Sequence, residues 1–66
     1  MAVMIHSSKI KELREARGMT TRAFAREAGI STETLNAVEH GKRQPSVRTL
    51  GKLARALGVE ARDLLS

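Results

Sequence analysis

The sequence predicts an all-α fold, one compact domain of five short helices. Three observations carry that prediction. Apolar residues recur at one-turn spacing, as at Phe24, Ala25 and Ala28 and again at Leu50, Leu53, Ala54 and Leu57, which is the period of a helix with one buried face. Hydroxyl residues stand before these stretches and glycines after them, the order in which helices start and stop. A length of 66 residues holds one domain and leaves no room for a separate sensing or catalytic module. A domain this small buries only about 60% of its unfolded surface, so its core is thin.

Taken in order, residues 1–8 read as an N-terminal arm and residues 9–66 as the folded domain. Met1 to Ser7 precedes any helical pattern, and a chain end frays unless it is docked. The alternative is that Val3-Met4-Ile5 pairs as a short extended piece across a partner. Ser8 can cap a first helix from Lys9 to about Arg17, with Ile10, Leu13 and Arg14 on one face and Gly18 as its stop. Met19 plugs the link to the second helix, Thr21 to Ala28, which Thr20 precedes as a capping hydroxyl. Gly29 stands where the chain needs a left-handed backbone. Ile30 plugs the turn, and Ser31 is a good N-cap for the third helix, Thr32 to His40. That helix has Leu35, Val38 and Glu39 on one side and Thr32, Glu33, Asn36 and Ala37 on the other. The loop Gly41 to Pro45 has no apolar period and is expected at the surface. Ser46 starts a longer helix to about Leu57, with Val47, Leu50, Leu53, Ala54 and Leu57 as its stripe. Gly51 inside it costs ~1 kcal/mol relative to alanine, which suggests close packing on a neighbour. Gly58 ends that helix, and a last short one, Glu60 to Leu65, brings Leu64 or Leu65 onto the core.

Composition excludes several classes of function. No cysteine is present, so neither disulfides nor a thiolate metal site is available. His6 and His40 are far apart and lack companions at ligand spacing, so no metal and no cofactor are expected. Glu27, Glu33, Glu39 and Asp63 form no paired-carboxylate pattern, no glycine-rich phosphate loop appears, and a substrate pocket is hard to build in so short a chain. An enzyme and a small-molecule ligand are therefore not expected. No apolar run approaches the ~20 residues of a membrane span, and Met1 to Ile5 is too short for a signal peptide. The expected location is cytoplasmic. Twelve basic residues against seven acids give +5, a balance that favours a polyanion through counterion release. A single aromatic residue argues against a stacking platform for single strands.

A supporting helix, a tight turn and a second helix with short polar groups on its outer face make the geometry for reading base edges in a major groove. The pattern Thr20, Phe24-Ala25, Ala28-Gly29, Ile30-Ser31, then Val38-Glu39-x-Gly41-Lys42-Arg43-x-Pro45 resembles the phage-repressor (Cro-type, or xenobiotic-response-element type) helix-turn-helix family. Downstream, Leu50, Leu53-Ala54 and Ala56-Leu57-Gly58-Val59 fit as well, so the likeness runs from about Lys9 to Leu65. One position departs from it. The family usually has glutamine after the capping residue, where it contacts a phosphate, and here that residue is Thr21, which reaches less far.

The resemblance implies a lambda-repressor-like domain that binds double-stranded DNA as a small prokaryotic or phage transcriptional regulator, nucleoid-associated, a repressor at a palindromic operator. It also implies a pair between Arg14 and Glu39 tying the first helix to the third. Base reading is expected from Thr32, Glu33, Asn36 and Ala37. Asn36 can pair bidentately with adenine, Glu33 can accept from cytosine, and Thr32 or Ala37 can touch a thymine methyl. Phosphate contacts are expected from Thr20, Thr21, Arg22, His40, Lys42 and Arg43. The family binds as two-fold dimers, and Leu57, Val59, Leu64 and Leu65 are the expected interface of a homodimer that is weak without DNA. The alternative reading is an antitoxin, or another protein-interaction module on the same fold.

Overall fold

A computed structural model describes residues 7–64. Four α-helices follow one another: α1 (Ser7–Ala16), α2 (Thr21–Ala28), α3 (Thr32–Glu39) and α4 (Val47–Leu57). The fifth predicted helix is a single 3-10 turn, Ala61–Leu64. Four residues are too few for an α-helical ladder, and this turn closes on itself. The Glu60 amide donates to Asp63 Oδ2 (3.0 Å), and the Asp63 amide donates to the Glu60 carbonyl (2.9 Å). The arm at residues 1–6 and the predicted contribution of Leu65 lie outside the described residues.

Each helix boundary has a local cause. The hydroxyls of Thr20, Ser31 and Ser46 accept from the amides of Ala23, Thr34 and Thr49, so α2, α3 and α4 each begin on a capped turn. Helix α1 begins one residue before the predicted cap, so Ser8 lies inside it. At its other end Arg17 still donates to the Leu13 and Arg14 carbonyls (3.2 and 3.1 Å), and the difference from the predicted stop is one of frayed ends.

Helix α2 packs on α3 and α4, α1 packs on α3, and the final turn packs on α4. Their facing sides make one core. Phe24, Ile10, Leu35, Leu53, Leu57, Leu64 and Val38 are its fully buried large side chains, with Ala25, Ala28, Leu50 and Ala54 between them. Leu13, Met19, Ile30 and Val59 close its margin. Truncating one buried leucine to alanine costs about 2–5 kcal/mol. A domain of this length holds only about 3–10 kcal/mol in all, so no single core position is expendable.

Two expectations for α4 are corrected. Val47 was expected in the apolar stripe, yet it is 88% exposed. The stripe is buried only from Leu50 onward, through Leu53, Ala54 and Leu57. Gly51 was expected against a neighbouring helix. It is exposed, and a Cβ built there meets nothing within 4 Å.

The Arg14–Glu39 pair joins α1 to α3. Arg14 Nε donates to Glu39 Oε2 (2.8 Å) and Nη2 to Oε1 (3.2 Å), and Nη1 donates to the Met19 carbonyl (2.9 Å). The two side chains are 10% and 4% exposed. Hydrogen bonding to Glu39 raises the Arg14 guanidinium above its already high ordinary value, against the opposing effect of burial. A raised basic group stabilises the fold fully below its unfolded value and loses that contribution only as pH rises through the folded one. The contribution is therefore constant across the neutral range.

Two stability predictions follow from this packing. Glu39→Ala leaves a buried guanidinium unpaired and should cost about 3–5 kcal/mol, enough to unfold much of the protein at room temperature by circular dichroism. Gly51→Ala adds a methyl to open space in mid-helix and should stabilise by ~1 kcal/mol. In thermal melts that is a midpoint raised by about 4–8 °C.

Candidate nucleic-acid interface

The site is built on α2, the turn at residues 29–31, and α3. At the end of α2, Gly29 takes φ +73°, a left-handed backbone that a side chain would strain. This lets the Gly29 amide return to the Arg26 carbonyl (3.2 Å) and the Ile30 amide to the Ala25 carbonyl (3.0 Å). Ile30 then packs against the core, and Ser31 restarts the chain. Ser31 Oγ accepts from the Thr34 amide (3.0 Å) and donates to Thr34 Oγ1 (2.8 Å). Leu35 and Val38 sit fully buried, and Glu39 is held by Arg14. With that side fixed, the opposite face of α3 must point outward. Thr32, Glu33 and Asn36 are exposed, and Ala37 is half-buried.

The end of α3 carries the cations. Gly41, at φ +71°, donates to the Val38 carbonyl (3.1 Å), and the Lys42 amide donates to the Ala37 carbonyl (2.9 Å). The same motif ends α1, α2 and α4, where the residue after the glycine is Met19, Ile30 or Val59, each packed against the core. At α3 that position holds Lys42, which is exposed. An apolar contact normally accompanies this motif, and here a cation replaces it. Its backbone is tied to the helix that carries the polar face. Glu33, Asn36, Ala37, His40 and Lys42 together line one open groove along α3.

His40 contributes in a restricted way. Its Nδ1 lies 2.7 Å from the Asn36 carbonyl, and a carbonyl only accepts, so Nδ1 carries the proton. In a neutral ring Nε2 can then only accept, and donation to an anion requires the imidazolium.

Thr20, Thr21 and Arg22 stand apart, at the start of α2, and none lines the groove on α3. Thr20 is exposed and uses its oxygen to cap Ala23, which leaves its O–H free to donate. Thr21 is half-buried and Arg22 exposed, and their amides, in the first turn, have no partner within the helix. Arg43 is exposed in the loop after Lys42.

A family model described as helix-turn-helix matches residues 10–64, nearly the whole described chain. The chain belongs to the helix-turn-helix family of DNA-binding transcriptional regulators. That family, of Cro type, is non-enzymatic. The chain is 39% identical over 57 residues to the HTH-type transcriptional regulator DdrOP3 of Deinococcus deserti, an alignment covering 86% of this chain and 44% of that one. It is 37% identical over 60 residues to the cryptic phage CTXphi transcriptional repressor RstR of Vibrio cholerae, covering 91% of this chain and 54% of the repressor. The chain thus spans about half the length of these two regulators. Its structure superposes with a TM-score of 0.84 on SinR, the master regulator for biofilm formation, solved in complex with DNA. The identity there is 27%, and the match covers 88% of this chain and 94% of the SinR chain.

The expected dimer residues divide. Leu57 and Leu64 are 1% and 0% exposed, consumed by the core of a single copy. Val59 is half-buried, and Leu65 lies outside the described residues. Of the four, Val59 alone has surface to offer among the described residues.

Sequence reasoning missed two supports of the site. Thr34 and Thr49 Oγ1 accept from the hydroxyls of the capping Ser31 and Ser46 (2.8 and 3.1 Å), a repeated Ser-x-x-Thr spacing legible in the sequence. The Met19 carbonyl is the third acceptor of Arg14, and backbone acceptors leave no such mark. For the cation locked beside α3, Lys42→Ala should weaken binding to all duplexes about equally and lower the slope of log K against log salt by about one. Filter binding across a salt series measures both, and a loss confined to one sequence would move Lys42 among the base readers.

Proposed function

We propose that this protein is a repressor that reads a palindromic DNA operator as a two-fold dimer. The observation that carries this reading is the outer face of α3. Three exposed polar or hydroxyl side chains and an alanine stand on a helix anchored at both ends, beside an exposed, backbone-locked lysine. Thr32, Glu33, Asn36 and Ala37 read base edges. Thr20, Thr21, Arg22, Lys42 and Arg43 hold phosphates on either side, and His40 joins them only as the imidazolium. The complex of SinR with DNA and the repressor role of RstR support this assignment.

Eight residues of α3 span roughly 12 Å, enough for only a few base pairs. Two copies with half-sites about one helical turn apart make a longer address. Because Leu57 and Leu64 are committed to the core, the contact between copies rests on the margin around Val59 and is weak in free protein. Bound across a promoter, such a dimer excludes polymerase by occupancy.

Selection of bound sequences from a random duplex library tests the whole reading, the expected result being a two-fold symmetric site. Asn36→Ala should then cost about 1–3 kcal/mol and relax the preference at one position of each half-site; an unchanged selected sequence would remove Asn36 from the base readers. The full palindrome should bind far more tightly than a half-site. Equal affinity for the two, with a monomer throughout sedimentation, would refute the dimer.

A further inference from the structure

We propose that the groove between α2 and α4 is a docking site for an acidic amphipathic helix of a partner protein. The groove measures about 770 Å³ and shares no lining residue with the groove along α3. Ala28, Gly51 and Ala56 form its apolar floor, and Val47, 88% exposed, stands at its edge. Nothing among the described residues fills the space above Gly51, so the groove is open to an incoming segment. Arg48, Lys52 and Arg55 line it from α4 at spacings of four and three, a single edge of the helix. None of the three is in an ion pair among the described residues, and neither is Glu27, the only acid of the lining.

Charge and apolar surface together select the occupant. A DNA backbone would meet the cations but presents phosphates, and would leave Val47 and the floor uncovered. A second copy of this chain would bring its own +5 to a cationic edge, which like charge disfavours. A helix with small apolar residues on one face and carboxylates along its edge covers the floor and meets all three cations. The proposal does not rest on the operator reading, since the two surfaces share no residue.

The test uses the full chain and a fluorescein-labelled, stapled helical peptide with alanine and leucine on one face and glutamates along both edges. Its twin carries glutamine in place of each glutamate. By fluorescence anisotropy the glutamate peptide should bind at least about tenfold tighter than the twin. Gly51→Gln, which fills the groove from a position with open space, and Lys52→Glu should each weaken it about tenfold. Thermal melts check that both variants fold, and Gly51→Gln should bind duplex DNA as the parent does. No binding, equal affinity for the two peptides, or indifference to Gly51→Gln would overturn the proposal. It would also fall if Lys52→Glu weakened duplex binding as much as peptide binding, or if Gly51→Gln dissolved a dimer in sedimentation. Peptide binding retained by a protein with no operator would refute the repressor reading and leave this one standing.

Discussion

The position of α3 depends on one buried ion pair. Arg14 engages both oxygens of Glu39 and the Met19 carbonyl, so a single guanidinium fixes α1, the α1–α2 link and the end of α3 relative to one another. Arginine suits this role because its planar fork matches a carboxylate side-on and still has a donor left for a third acceptor. Taking both charges out of water costs several kcal/mol, and the pair barely repays that cost in stability. What it supplies is geometry. Apolar contacts at Leu35 and Val38 are non-directional and would tolerate a helix rolled about its axis. The Glu39 fork does not tolerate that roll, because a rotation of α3 would separate it from Arg14. A helix proposed to present the same side chains to a base edge needs that constraint more than it needs another methylene group.

The thin core makes the constraint necessary. Aromatic bulk comes from Phe24 alone, and the rest of the buried volume is aliphatic side chains and alanine. The alanines at 25, 28 and 54 let helices approach closely but give little bulk to lock them. The directional elements are polar: three hydroxyl caps, four glycine-ended turns and the Arg14 pair. Each is local except the last, which spans 25 positions in the sequence. The domain thus takes its cohesion from aliphatic burial and its orientation from hydrogen bonds.

How much of this was legible in the sequence follows from the same division. Caps, glycine stops and one-turn apolar spacing are local, and α2, α3 and α4 could be located from them almost to the residue. The outer face of α3 was legible because its inner face was: once Leu35 and Val38 point inward, Thr32, Glu33 and Asn36 cannot. The Arg14–Glu39 pairing came from family resemblance, since local spacing does not connect residues 25 positions apart. Val47 and Gly51 misled because periodicity gives a residue's angle around the helix but not whether anything lies opposite it. Leu57 and Leu64 show the related limit: their apolar character fits a core or an interface equally, and only packing assigns them to the core.

The ends of the four helices differ at one position, and the difference bears on the proposed role of Lys42. At α1, α2 and α4 the residue after the glycine is apolar and returns to the core. At α3 the backbone repeats that hydrogen bonding without alteration, and the side chain is a lysine in solvent. The apolar closure is given up at one helix end out of four, and that end adjoins the polar face. A chain this short has little stability to spare, so giving up such a contact needs a compensating use. In the proposed phosphate contact, fixing the backbone of Lys42 by its amide removes the backbone share of the entropy that a loop cation would otherwise lose. The other loop cation, Arg43, has no such anchor and retains that cost. The same turn that ends the helix therefore holds the backbone of Lys42 beside the polar face of α3, in place for the contact proposed for it.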